Sequence, residues 1–151
     1  MGADRVSIPA DAILSLLHGS PLDGQSSLQL WPDGRAEYLF HTSEPGTGPD
    51  GREFVRITER SARLRLAAAD VARIAEFFPR LEKLDACYVE SGVRDGNHTR
   101  VTFRHNGRLG VVECTNKGPG EVLELLDVCR SIVGRFEAEL DAAGEVPQRY
   151  A

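Results

Sequence analysis

Cys87, His98, His105, Cys114 and Cys129 carry the sulfur and imidazole donors that could hold a metal or arm a nucleophile. Zinc sites bring such donors together as C-x₂₋₄-C or H-x₃₋₅-H pairs, because two ligands on one turn halve the search for the other two. No pair here has that spacing. A Cys–His nucleophile needs a thiolate held beside an oriented base, and a serine nucleophile on a tight turn would show G-x-S-x-G, which is absent. Glu90 and Asp95 flank a turn and read as solvated carboxylates. Lys117-Gly118-Pro119-Gly120 precedes a helix but lacks the G-K-[ST] order of a phosphate loop, and Pro119 removes a backbone donor. The residues imply no metal, no cofactor and no catalytic set.

Charge is the remaining chemical signal. The 151 residues carry a net charge of −5. Between Arg52 and Arg108, twelve Arg and Lys face eight Asp and Glu, a local +4. The remainder has six against fifteen, or −9. Arg56, Arg63, Arg65, Arg100 and Arg104 fall at alternating positions of strand-like runs, so they define a basic sheet face that could dock an acidic partner. The sequence pI of 5.4 argues against nucleic acid, and so does the lack of aromatic residues interleaved with those arginines. Arginine so outnumbers the two lysines, Lys83 and Lys117, that a GC-rich coding bias explains the choice. Three unclustered cysteines speak against a disulfide framework and for a reducing compartment. No leader pattern is visible, and no apolar run approaches the roughly 20 residues that cross a bilayer. The expectation is a cytoplasmic protein with no membrane contact.

The elements that must position these residues centre on Asp95–Cys114. Asn106-Gly107 between two strand-forming runs is the strongest short hairpin signal. A two-residue turn sets the register: His105 faces Arg108, Phe103 faces Gly110, Val101 faces Val112 and Thr99 faces Cys114. Val101, Phe103, Val112 and Cys114 then share the core side, and Arg100 opposes Glu113 on the other. Pro32-Asp33-Gly34-Arg35 closes a second hairpin between Ser27–Trp31 and Ala36–Thr42, with Ala36, Tyr38 and Phe40 on one face. The three glycines and two prolines of Ser43–Gly51 predict a loop. Phe54–Leu66 reads as a strand whose alternation slips, which predicts a bulge near Glu59–Ser61. Helical spacing predicts helices over Ala67–Phe78 and from Glu121 to about Leu140. In the latter, Val122, Leu125, Leu126, Cys129, Ile132, Val133, Phe136 and Leu140 form the apolar face. Ser7, Pro9 and the Ile13, Leu14, Leu16, Leu17 stripe predict a short N-terminal helix ended by Gly19 and Pro21.

The run from Leu64 to Leu140 resembles a group of small bacterial hairpin–helix–hairpin–helix domains. The likeness is carried by Leu66-Ala67-Ala68-Ala69-Asp70-Val71 leading into a helix that ends at Phe77-Phe78, then Val101-Thr102-Phe103 and Gly107-Arg108. A similar layout occurs in the emfourin family, bacterial proteins that inhibit thermolysin-like proteases. The resemblance covers about half the chain and implies an inhibitor-like binding role. It matches no inhibitory residue here, and the N-terminal segment and Gly/Pro-rich stretch depart from the layout.

The expected architecture is α+β: an antiparallel sheet of four to five strands, two longer helices on one face, and a short N-terminal helix. Residues 1–22 form a helical arm, 23–140 a single domain and 141–151 a flexible tail. The expected function is non-catalytic binding of a protein, or self-association across a two-fold axis, through Arg56, Arg63, Arg65, Arg100 and Arg104. The alternative is a small-ligand-binding protein or enzyme with a pocket between sheet and helices near Trp31, Tyr38, His41 and Tyr88.

Overall fold

The computed structural model describes residues 8–20, 24–89, 96–116, 118–136 and 145–150. Ser7, Pro21, Glu90, Asp95, Lys117 and Leu140 lie outside them. Eight strands form one sheet: β1 (Leu14–Ser20), β2 (Gly24–Leu30), β3 (Arg35–Thr47), β4 (Glu53–Arg65), β5 (Cys87–Val89), β6 (His98–His105), β7 (Arg108–Thr115) and β8 (Glu145–Tyr150). Their spatial order is β5-β7-β6-β1-β2-β3-β4-β8. Three helices, α1 (Ala68–Ala75), α2 (Phe78–Leu81) and α3 (Gly120–Gly134), complete the described elements. The α+β class holds. The expected four- to five-stranded antiparallel sheet does not, because the sheet is larger and mixed: β5 runs parallel to β7 while the other neighbours are antiparallel.

The largest correction is at the N-terminus. Instead of a helix, Leu14–Ser20 forms a strand between β2 and β6. The run Ile13-Leu14-Ser15-Leu16-Leu17 satisfies a helical stripe and a strand alternation alike, as short apolar runs do. Burial fits the strand: Leu14 and Leu16 are buried on the core face, and Leu17, of opposite parity, is 38% exposed. Just before it, the Ala12 amide donates to the Pro9 carbonyl, with Asp11 at φ 63°, which ends any helical path. The Trp31 indole Nε1 donates to the Ala10 carbonyl and pins that turn. At the other terminus Glu145–Tyr150 pairs with β4 along the sheet edge, where a flexible tail is expected from sequence.

The stretch Ser43–Gly51 is also not a loop throughout. β3 continues to Thr47 and pairs with β4 in one unbroken register from Arg35↔Arg65 to Thr47↔Glu53, so the bulge expected near Glu59–Ser61 does not occur either. Pro45 is tolerated because β2 stops pairing with β3 at His41, and a residue without an N–H costs no ladder bond on that free side. The turn that follows is a copy of the one before β3. In both, an X-Pro-Asp-Gly-Arg segment places glycine in the left-handed region, Gly34 at φ 96° and Gly51 at φ 80°. In both, the arginine amide donates to the aspartate Oδ1, at 3.0 and 3.1 Å. In both, X donates its amide to the arginine carbonyl and accepts from the glycine amide.

The Asn106-Gly107 hairpin has the register expected from its turn, pair for pair from Thr99↔Cys114 to His105↔Arg108. The two sheet faces follow from it. Leu14, Leu16, Leu28, Leu30, Leu64, Val101 and Phe103 point to one side and are buried. There they meet Val71 and Ile74 of α1, Phe78 and Leu81 of α2, and Val122, Leu125, Leu126, Cys129, Ile132 and Val133 of α3. The helix expected over Ala67–Phe78 ends as α1 at Ala75, and Pro79 falls in the next one, since proline fits the first turn of α2. Asp70 of α1 accepts a two-pronged bond from Arg135 at 2.9 and 3.2 Å, tying α1 to the end of α3. Among the described residues no helix is long and apolar enough to cross a membrane.

Phe103 stacks on Phe78 with ring centroids 5.4 Å apart, and its other side lies over Gly110. A Cβ on Gly110 would come within 2.3 Å of the Phe103 ring, which is 1% exposed and has nowhere to move. Gly110→Ala should therefore destabilise the protein by about 1–3 kcal/mol through overpacking. The shift in urea midpoint at unchanged slope measures it.

Candidate functional site

The sheet outruns the helices at one end, and a cavity of about 500 Å³ opens there between β1, β2, β3 and the second half of α3. The register builds its floor. Leu16 opposes Leu28, and Leu28 opposes Tyr38, giving one row. His18 opposes Ser26, and Ser26 opposes Phe40, giving the next. Gly19 and Gly24 end the floor without side chains. Leu126, Cys129, Arg130, Val133 and Gly134 form the roof, being three, four, seven and eight residues apart and so on one helix face. The site is apolar toward the core and polar toward its mouth.

His18 is held from the far side by β6. Its Nδ1 lies 2.7 Å from the Thr99 hydroxyl, across 81 residues of chain. That leaves Nε2 as the ring nitrogen without a partner among the described residues. Burial lowers the His18 pKa from its ordinary value, and the positive charge of Arg130 and then His98 act in the same direction. At neutral pH His18 is therefore uncharged. Burial raises the Tyr38 phenol, opposed by a hydrogen bond from Ser26 and by Arg130. Burial pushes the Cys129 thiol up to about 12, so it is a protonated wall group rather than a thiolate. Arg130 is exposed and makes no ion pair among the described residues. Free guanidinium donors, a neutral imidazole, a phenol and a hydroxyl thus converge on one cavity.

Of the pocket residues expected from sequence, Tyr38 lines this cavity and the other three lie elsewhere. Trp31 sits at the β2–β3 turn under the Arg35 guanidinium, 5.0 Å from its ring centroid. His41 is on the opposite sheet face, where its Nε2 is 4.0 Å from Glu59. Tyr88, on β5, accepts the Asp85 amide at its hydroxyl. His18, Ser26 and Arg130 went unrecognised. Thr99 sits opposite Cys114 as the hairpin register implies, but the residues around His18 form a strand where helical spacing predicts a helix.

The arginines are more dispersed than expected. Arg63, Arg65, Arg100 and Arg104 point away from the helices, as the alternation implies. Three strands separate β4 from β6, so the two pairs stand roughly 19 Å apart at the usual strand spacing. Arg100 forms the expected ion pair with Glu113. Arg104 Nε donates to the Ala12 carbonyl at 3.3 Å, and Arg65 donates to the Asp33 carbonyl at 2.9 Å. Arg63 faces Glu37 across the ladder. The Arg56 side chain lies outside the described residues, and its backbone pairs with Glu44. Among the described residues no group of three or more His, Cys, Asp or Glu is placed to hold a metal.

These features define a single mixed sheet with one helical layer and a side pocket at the open end of the sandwich. Comparison with protein-family models, curated proteins and solved structures gives no match.

A buried histidine with a depressed pKa makes stability depend on pH. Above 6.5 the native and unfolded forms are both neutral at His18, and the full stability is present. As pH falls below 6.5 the unfolded chain gains a proton before the native one does, so stability is lost until the folded pKa is passed. His18→Gln should flatten the unfolding free energy over that interval, leaving the acid-limb loss from carboxylates such as Asp33 in place. Asp33 is held below the ordinary carboxylate range, chiefly by the Arg35 backbone amide. Urea titrations at half-unit pH steps from 7.5 to 5 would show it.

Proposed function

We propose that this protein is a non-catalytic binding module for a small molecule, seated between α3 and the open end of the sheet. The observation that carries this reading is the convergence of His18, Ser26, Tyr38 and Arg130 on an apolar-floored cavity of about 500 Å³. Binding sites for small molecules combine apolar walls with a few placed polar groups in this way. The protonated Cys129 thiol supplies no nucleophile there, which favours binding over turnover. Docking of a protein on the arginine-bearing face, including an inhibitor-like role, is less well supported. Arg65, Arg100 and Arg104 are engaged within the chain, and the arginines are spread over four strands' width.

A thermal-shift panel of small amphipathic acids, alcohols and amines tests the reading. A compound present at a hundred times its dissociation constant stabilises by about 2.7 kcal/mol. That should raise the melting temperature of a chain of this size by roughly 5–10 °C. Gly134 provides the control: a Cβ there meets no atom within 4 Å, yet the residue lines the cavity. Gly134→Trp should fold normally and abolish the shift by filling the mouth. A flat panel with wild-type protein would discard the pocket and return attention to the sheet face.

A further inference from the structure

We propose that the pocket selects an anionic ligand, a carboxylate on a short apolar chain, whose head group sits between Arg130 and His18 and whose binding draws a proton onto His18. The inference rests on the small-molecule reading above and adds the charge of the occupant and its coupling to pH.

Three observations carry it. First, Arg130 is the one cation on the roof, and no carboxylate among the described residues neutralises it. A guanidinium at the rim of an apolar cavity is a ready half of a two-pronged carboxylate pair. Second, the Thr99 hydroxyl occupies His18 Nδ1 and leaves Nε2 to the cavity. The groups facing His18 are Arg130 and Cys129 from α3, Tyr38 from β3, Ser26 from β2, and Thr99 with its neighbour His98 from β6. None of them is an acid ionised at neutral pH, so the surroundings oppose a charged imidazole until an anion enters. An anion beside Nε2 reverses the balance, because a nearby negative charge favours the protonated ring. Third, the floor and inner wall are Leu16, Leu28, Leu126 and Val133, which suit an alkyl chain rather than a bare inorganic anion. Tyr38 can donate one bond to the head group, whereas the single Ser26 hydroxyl hydrogen is already directed at the His18 carbonyl.

Linkage then requires that the ligand bind more tightly as pH falls, since the bound state holds a proton the free protein lacks. The carboxylate itself stays ionised above pH 6 and contributes nothing to that slope. Isothermal calorimetry with octanoate, 1-octanol and octylamine, each at pH 6 and pH 8 in two buffers of different ionisation enthalpy, separates the possibilities. The expected result is octanoate binding that strengthens several-fold from pH 8 to pH 6, with proton uptake that disappears in His18→Gln. Arg130→Gln should weaken octanoate about tenfold or more, the loss of a charge-assisted bond, while leaving octanol unchanged. If octanol and octanoate bind equally and without proton uptake, or if octylamine binds best, the anion proposal is overturned although the pocket stands. If none of the three binds to wild-type protein, or if their binding survives Gly134→Trp, the pocket reading and this inference fall together.

Discussion

The seat of β1 between β2 and β6 is the constraint on which the structure depends. Two halves of the chain each make their own antiparallel ladder: β2, β3 and β4 fold as a meander, and β6 and β7 fold as a hairpin. Neither half closes a core alone. Leu14, paired with Leu30 on one side and Phe103 on the other, joins them in one sheet. A strand buried between two others must satisfy donors and acceptors on both edges. That demand specifies its register more tightly than side-chain packing alone would.

The pocket is a by-product of that joint. Because β1 continues past the end of the helical layer, its later residues His18 and Gly19 extend beyond the core that Leu14 and Leu16 fill. Pairing with β6 brings Thr99 against His18, and pairing with β2 brings Ser26. The row is polar where the helix above it is running out, and Arg130 and Gly134 of α3 overhang the gap. Dry core and half-wet cavity are thus consecutive rows of one sheet. The burial that holds His18 neutral comes from the same packing that keeps Leu16 at 5% exposure.

The opposite face shows how a one-sided sandwich keeps a broad sheet in water. Arg100 with Glu113 and Arg63 opposite Glu37 place opposite charges across neighbouring strands, and His41 lies near Glu59. Each exposed pair adds little, on the order of 0.2–1 kcal/mol, but together they make the surface polar and of mixed sign. The arginine excess of the middle of the chain is absorbed largely in this way rather than concentrated in a patch.

What could be read from the sequence is what is enforced locally. Asn106-Gly107 admits one turn geometry, so every pair of the β6–β7 hairpin followed from counting outward, and with it the core side bearing Val101 and Phe103. The apolar stripe of α3 was legible for the same reason, since helical spacing fixes a face without reference to neighbours. Pro49-Asp50-Gly51-Arg52 repeats Pro32-Asp33-Gly34-Arg35 and signals the β3–β4 hairpin, but Pro45 and Gly46 beside it read as loop. Ile13 to Leu17 could not be settled, because five residues hold too little periodicity to separate strand from helix. Only partners 16 and 89 residues away, Leu30 and Phe103 against Leu14, made it a strand. The site depends on that decision. His18 and Thr99 are chemically unremarkable apart, and their meeting was decided by long-range hydrogen-bonded pairing, which local sequence does not encode.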